Sequence, residues 1–355
     1  MQPKETSSQH PVLALSQGDS NGIGPEIILK SLFSKKSPQK QSHPGILLFA
    51  QPEAMEASAR TLGMSVDYDF IHSHKVTASN VASTVFYPSM AAPGPGEIHL
   101  IPVEGTSPAS GRITAASGKT SMLAVEAAVY ACMHGPAQAI VTGPISKEAI
   151  SKAGYDVPGH TEFLAQCTQA QSFGMILAND TMRIGLATIH IPLKEVPASI
   201  TRPHLVRQAS LFAQCLKMDF GIAHPRMAVL GLNPHAGDGG VLGTEEMEII
   251  KPAIDELKKE GLHVTGPHPA DGFFGSQGHR SCDLVLAMYH DQGLIPLKLS
   301  GFGSGVNITA GLPVIRTSPD HGTAFSLAGK GIADASSFKT AIATACTMIK
   351  SRSHK

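Results

Sequence analysis

The 355-residue chain reads as an α/β protein built on a largely parallel sheet. Short apolar runs rich in β-branched residues alternate with longer stretches of helical pattern from Val12 onward. Several of those runs end abruptly in Gly, His or Asp, at the place where open α/β sheets present their ligands. Apolar residues make up 42% of the chain and charged residues 16%, a balance that suits a packed core and argues against disorder.

The elements follow in order. VLALS makes Val12–Ser16 the first strand, and the turn GDSNGIG then leads into a helix over Pro25–Ser34. Ile46–Ala50 is a second strand, and Lys119–Met133 a long helix before the strand Ala139–Thr142. Gly159-His-Thr-Glu162 opens a helix over Thr161–Gln169, and Arg183–Ile189 is the next strand. A helix over Pro203–Met218, a strand over Met227–Leu232 and a helix over Thr244–Glu260 come next. Strands over Asp283–Met288 and Val314–Thr317 follow, and a helical pattern runs from His321–Leu327 onward. Residues 1–11 and Lys350–Lys355 read as solvated tails.

Lys plus Arg and Asp plus Glu both number 28, which removes the simplest argument for nucleic-acid or anionic-membrane binding. The chain contains no run of 18 apolar residues, and its polar N-terminus lacks the apolar core of a secretory signal. Five dispersed cysteines without a C-x-x-C pair fit reduced core thiols, so a cytoplasmic location is expected.

The strand ends carry the chemistry. Arg183–Ile189 exits at His190, Met227–Leu232 exits into Asn233-Pro-His235-Ala-Gly-Asp238, and Asp283–Met288 exits into Tyr289-His290-Asp291-Gln-Gly. With 17 histidines in the chain, any single one is more simply a surface or structural residue. Three at equivalent exits describe a site for a borderline divalent ion with one open position. Asp291 is placed to orient an imidazole or to ligate.

A second group resembles an anion site. His160 and Thr161 open a helix, where unpaired backbone N–H groups favour a phosphate or carboxylate, although Thr161 also suits a plain helix cap. Lys298 and Arg316 each follow an apolar run and read either as snorkelling cations or as anion clamps. Asn307 falls in the glycine-rich stretch GFGSGVNITAGLP. Ser117-Gly-Lys-Thr120 lacks the glycine that a P-loop needs at Ile113 and reads as a helix start. Gly301-Phe-Gly-Ser-Gly305 misses the G-x-G-x-x-G spacing, so a Rossmann fingerprint is absent.

Taken together, GDSNGIGPEI, GHTEFLA, ATIHIPL, LNPHAGDGG with GTEE, PADGFFG, YHDQGLIPLK, GFGSGVNITAGLPVIRTSPDHGTA and AGKGIADASSF resemble the 4-hydroxythreonine-4-phosphate dehydrogenase family of pyridoxal phosphate biosynthesis. The resemblance runs from about Gly18 to Phe338. It implies an isocitrate/isopropylmalate-dehydrogenase-like two-domain fold, with residues 11–145 plus 300–350 as nucleotide domain and 146–299 as metal, substrate and dimerisation domain. It implies metal ligation by His190, His235 and His290, the last supplied by the neighbouring subunit of a homodimer. It further implies substrate binding by His160, Thr161, Lys298, Asn307 and Arg316, and NAD or NADP held in part by His321, Gly322, Thr323 and Ala324. The usual Gly-Asp-Pro-Ala-Gly appears as Gly18-Asp-Ser20-Asn21-Gly, and Ser146 stands where His or Asn is common.

The implied reaction oxidises C3 of 4-phosphooxy-L-threonine with a divalent ion, zinc first, with magnesium, manganese or cobalt as alternatives. The keto acid then loses CO₂ to give 3-amino-2-oxopropyl phosphate. Asp291, Lys298 or a metal-bound water is the base. A sister dehydrogenase for D-threonate or D-erythronate 4-phosphate, a metallohydrolase, and a phosphate-ligand binding or acyl-transfer protein are the competing expectations.

Overall fold

A computed structural model describes residues 10–33, 44–66, 68–71, 74–83, 87–301 and 303–353. In chain order these form β1 (Val12–Ser16), α1 (Gly24–Leu32), β2 (Gly45–Ala50), α2 (Pro52–Leu62), β3 (Asp69–Phe70), β4 (Ile98–Pro102), α3 (Ala115–His134), β5 (Ala139–Thr142), α4 (Lys147–Lys152) and α5 (His160–Thr168). There follow β6 (Gly174–Ala178), β7 (Arg183–Leu186), α6 (Val196–Ser199), α7 (Arg202–Asp219), β8 (Arg226–Leu230), α8 (Lys251–Lys259), β9 (His263–His268), α9 (Ala270–Gly275), β10 (Leu284–Ala287), α10 (His290–Ser300), β11 (Val306–Ala310), β12 (Ile315–Pro319) and α11 (Ser336–Ser353). The α/β class expected from the alternation of patterns is the class observed.

The chain divides into two compact units, one of Met1–Gln169 with Val314–Ile349 and one of Ala170–Pro313 with Lys350–Lys355. Residues 146–169, expected with the metal domain, group with the first unit, and 300–313 group with the second.

The first unit orders its strands β3-β4-β2-β1-β5-β12, all parallel. Its central strands are buried on both faces, which is why VLALS and GILLFA are continuous apolar runs without alternation. Asn21, one of the departures noted above, acts as a staple here. Its Nδ2 donates to Arg112 O at 2.8 Å and to Thr114 Oγ1 at 3.3 Å, and its Oδ1 accepts from Ala109 N at 2.7 Å. The turn after β1 is thereby tied to the loop that Thr114 closes by capping α3 through Ser117 N.

The second unit orders its strands β11-β6-β7-β10-β8-β9. The expectation of a largely parallel sheet holds, with the exception that β6 runs antiparallel to both β11 and β7. The connection from β6 to β7 is short, Asn179 turning the chain by accepting from Thr181 N and Met182 N, so no crossover helix intervenes. Gly174 and Gly185 lack side chains where Phe212 of α7 packs. A Cβ on either would meet the fully buried ring at 2.5 Å and 2.7 Å respectively.

Other differences have local causes. The helical pattern from His321 does not form a helix until Ser336, because Ala324, Gly329 and Gly331 all adopt left-handed φ, at 42°, 75° and 69°. Asn307 lies within β11 and not in a loop, and the helix α11 extends through Lys350–Ser353, where a tail was expected. Strand β7 ends at Leu186, three residues short of the expected Ile189. Ser34 of the first expected helix lies outside the described residues, as do residues 1–9 and 354–355 of the expected tails and Phe302 of the glycine-rich stretch.

Candidate functional site

In the second unit β7, β10 and β8 are consecutive and parallel, so their carboxyl ends lie on one side of the sheet. Past its last paired residue β7 stays alongside β10. Ala187 N donates to Ala287 O at 2.8 Å, Thr188 N to Met288 O at 3.2 Å, and Thr188 Oγ1 to the same carbonyl at 2.7 Å. This irregular extension carries His190 to His290, with ring centroids 5.7 Å apart and planes inclined at 41°. The two rings line a surface cleft with Thr188, Leu193, Val196 and Asp291.

Each residue of His290-Asp-Gln-Gly293 has a task there. His290 is the first residue of α10, and its Nδ1 lies 2.7 Å from Asp291 Oδ1. A carboxylate on one ring nitrogen fixes the ring and leaves Nε2 for a ligand. Gln292 accepts from Met288 N at 2.7 Å and donates to Gly231 O at 2.6 Å, clamping the exit of β10 to that of β8. Gly293 is required sterically, since a Cβ there would sit 2.4 Å from Ile184 Cγ2.

The exit of β8 is stranger. His235, Ala236, Gly237, Asp238 and Gly239 all have left-handed backbone angles, beginning with φ 52° and ψ 26° at His235. Three of these are not glycine, and each such residue costs about 1–2 kcal/mol in this region. The turn is held from below by Glu246, 2% exposed, whose Oε1 accepts from Leu232 N and Asn233 N, both at 2.7 Å. Its Oε2 accepts from Asn233 Nδ2 at 3.0 Å.

In the first unit the anion-site residues surround the end of β5. Arg316, the second residue of β12, is 2% exposed and donates through Nη2 to Thr142 Oγ1 at 2.8 Å. It is therefore a buried cation and not a snorkelling one. Burial pushes its pKa down to about 9, opposed by the charge of Glu162, so it stays protonated near neutrality. His160 begins α5 with its Nε2 buried and unpartnered. Burial, then the nearby Arg316 charge, holds its pKa well below the usual imidazole value, with the Gly143 backbone acting in the opposite sense. Thr161 is buried but does not cap the helix; the N-cap is Gly159, with no side-chain bond. Ser146, the second departure, caps α4 by accepting from Ala149 N at 3.2 Å.

The turn His321–Ala324 leaves β12 and docks on the start of α1, where Ile23 N donates to Thr323 O at 3.0 Å. Gly22 permits this approach, because a Cβ there would lie 2.8 Å from the same carbonyl. Ala324 sits at φ 42°, and His321 Nε2 is buried without a partner. In the second unit Asn307 Oδ1 is likewise buried and unpartnered, and Lys298 is exposed in the last turn of α10. Buried polar atoms are rarely left unpaired. Three residues nominated as ligand contacts, His160, Asn307 and His321, show this feature, as do several with no such nomination, Gln17 and Gln208 among them.

Residues 42–345 match the family described as pyridoxal phosphate biosynthetic protein PdxA. The chain belongs to the PdxA family. A relative from Prosthecochloris aestuarii named 4-hydroxythreonine-4-phosphate dehydrogenase is 43% identical over 328 residues, covering 91% of this chain and 93% of its own. The crystal structure of the Klebsiella pneumoniae enzyme of that name superposes with a TM-score of 0.80 at 34% identity, covering 97% of this chain and 99% of the other. A terephthalate 1,2-cis-dihydrodiol dehydrogenase from Burkholderia xenovorans aligns at TM-score 0.61 and 29% identity, over 95% and 98% of the two chains. Membership in PdxA makes the chain a dehydrogenase and its work oxidoreduction.

Within this PdxA chain the expected metal donors fit a borderline divalent ion by chemistry and by strand-end placement. His190 and His290 approach one another, one of them with a carboxylate on its second nitrogen. Among the described residues, however, no three His, Cys, Asp or Glu side chains gather closely enough to hold an ion. A single chain thus brings the His190 and His290 imidazoles together without a third such donor among the described residues. Gln292 and Glu246, which the motif chemistry did not nominate as functional, hold the strand exits together. Gln292 had a signal, a long polar side chain directly after His290 and Asp291, whereas Glu246, far from His235 in the chain, had none of that kind. Among the described residues no helix is long and apolar enough to cross a membrane.

Proposed function

We propose that the protein oxidises 4-phosphooxy-L-threonine at C3 with NAD or NADP, in a reaction that depends on a divalent ion bound through His190, His235 and His290. The observation that carries the reading is the placement of His190, His290 and His235 just past the exits of three adjacent parallel strands, β7, β10 and β8. The substrate is the one for which its PdxA relatives are named. When bound, the ion supplies positive charge that favours ionisation of the C3 hydroxyl, and the nicotinamide accepts the hydride.

The chain's own residues supply orientation and electrostatics. Asp291 holds the His290 ring in one setting and, with Lys298, is the candidate for managing the hydroxyl proton. Buried Arg316 offers a fixed cation to a substrate anion, and the first turn of α5 offers Thr161 and backbone N–H groups to it. His160, Lys298 and Asn307 are the remaining substrate contacts, and His321, Gly322, Thr323 and Ala324 belong to the cofactor. The keto acid formed is a β-keto acid, so loss of CO₂ to give 3-amino-2-oxopropyl phosphate follows from its own chemistry.

We assign the working unit as a homodimer in which the His290 imidazole of each metal set comes from the partner subunit. That assignment is supported by apolar side chains left open on the segments that bear the histidines, Leu193 at 68%, Val241 at 79% and Leu299 at 84% exposure.

The test is NAD⁺ or NADP⁺ reduction by the purified protein, offered 4-phosphooxy-L-threonine and D-threonate 4-phosphate separately, with and without chelator. Chelator-sensitive reduction with the amino acid is the expected result. Preference for the threonate moves the protein to a sugar-acid dehydrogenase, and turnover without nucleotide moves it to a hydrolase.

A further inference from the structure

The left-handed turn that carries His235 is closed by its own backbone bonds, Ala236 N to Asn233 O and Leu242 N to Gly237 O, both at 3.1 Å, and is anchored from outside by a side chain. Five successive residues, His235–Gly239, occupy a backbone region that non-glycine residues avoid, and His235, Ala236 and Asp238 are among them. Yet the backbone N–H groups just before the turn are fixed to a single side chain. Glu246 is 2% exposed, its Oε1 takes both Leu232 N and Asn233 N at 2.7 Å, and its Oε2 takes Asn233 Nδ2 at 3.0 Å. The neighbouring Glu245 takes the same Asn233 amide at 2.7 Å.

The surroundings are shaped to this carboxylate. A Cβ on Gly237 would meet Glu246 Oε2 at 2.7 Å, and one on Gly231 would meet Oε1 at 3.2 Å. The turn therefore wraps around Glu246, with glycines at the two closest points. Glu246 also opens the π-helical turn Glu246–Ile250, an irregularity in what would otherwise be the start of α8. Such single π turns recur where a side chain must be re-aimed.

We infer that Glu246 is a positioning residue: its buried carboxylate fixes the left-handed turn and so sets where the His235 imidazole is presented. The inference rests on the assignment of His235 as a metal ligand, and it makes Glu246 act only through that imidazole. Its oxygen Oε1 makes both main-chain bonds, which a carboxamide keeps, while Oε2 accepts from the Asn233 amide, a bond that a carboxamide NH₂ loses. Gln at 246 keeps an acceptor for Leu232 N and Asn233 N, whereas Ala leaves both donors without a partner and opens space beneath the turn.

The experiment is calorimetric titration of zinc into the metal-free full-length protein, with Glu246→Ala, Glu246→Gln and His235→Ala beside the parent. Thermal unfolding of each metal-free variant is the control for fold. Glu246→Ala is expected to weaken zinc binding at least tenfold while far-UV circular dichroism is unchanged, and Glu246→Gln, which keeps the main-chain bonds and loses the one to Asn233, to weaken it less than Glu246→Ala. A role confined to stability would lower the unfolding temperature of Glu246→Ala and leave its zinc affinity at the parent value. That result, with His235→Ala losing zinc, overturns the inference and leaves the metal assignment standing. Parent-like zinc affinity in His235→Ala overturns the assignment and the inference with it. If Glu246→Ala does not fold, Glu246→Asp, which withdraws the carboxylate by one methylene, must show the weakened binding, and parent-like affinity in it refutes the inference.

Discussion

His160 should make the protein less stable in mild acid, by an amount that follows from its surroundings. In the folded chain burial and the Arg316 charge hold its pKa well below 6.5, the ordinary value. The unfolded chain has no such constraint. Below about pH 6.5 the unfolded state therefore takes up a proton that the folded state refuses, and stability falls as pH falls toward the folded value. For a ring that stays neutral when folded, the loss at pH 5.5 is RT ln(1 + 10), about 1.4 kcal/mol, against less than about 0.1 kcal/mol at pH 7.5. His160→Gln removes the titrating group. Urea unfolding of both proteins at the two pH values should show the parent losing roughly 1.3 kcal/mol more than the variant. A difference between parent and variant that is the same at both pH values would refute the argument, and so would an imidazole resonance of His160 that titrates near 6.5.

Three further perturbations separate binding from folding. Arg316→Met replaces a buried cation by an apolar side chain of similar length, so the urea midpoint should hold or rise, as buried charges contribute little net stability. KM for the phosphorylated substrate should meanwhile rise about 100-fold, equivalent to about 2.7 kcal/mol of lost charge-assisted binding in steady-state assays. Gln292→Ala strips partners from Met288 N and Gly231 O and should cost about 2–4 kcal/mol in urea unfolding, since each buried group left unpaired costs about 1–3 kcal/mol. Asn21→Ala removes all three bonds of the staple on the 109–114 loop and should lower stability by about 2 kcal/mol, read from the same unfolding curves.

What the sequence disclosed and what it hid have physical reasons. The strand exits were legible because buried parallel strands are unbroken apolar runs, so a polar residue directly after one marks the rim of the sheet. His190, His235 and His290 were found that way, and the structure puts their strands side by side. Strands β6 and β11 were not found. GMILA is short enough to pass for part of a helix, and Asn307 and the glycines before it made β11 resemble a loop. The false helix at His321 had the opposite cause: Phe325, Leu327 and Ala328 fit a helical spacing, while left-handed φ at Ala324, Gly329 and Gly331 is invisible in a pattern of polarity. Arg316 read equally as surface or clamp, because a cation after an apolar run looks the same whether the run ends at the rim or continues through the core.

The reversal of β6 has a consequence for the second unit. The turn Asn179–Met182 lets β7 follow at once, so β7 leaves the sheet in the same sense as β10, β8 and β9. Four consecutive exits then share one edge. Three bear the expected metal histidines, and the fourth, β9, ends at His268 and enters PADGFFG, which puts Asp271 in the first turn of α9. Chain continuity fixes the order in which these groups appear along the edge, His190, His290, His235, Asp271, although the sequence lists His290 last. The close pair is thus formed by residues 100 positions apart, and the near neighbours in sequence, His190 and His235, are separated by a strand. Ligand spacing along the chain says little about which two imidazoles meet. The order of strands decides it, and Gln292 adds a side-chain clamp between the exits of β10 and β8, whose register the strand pairing itself sets.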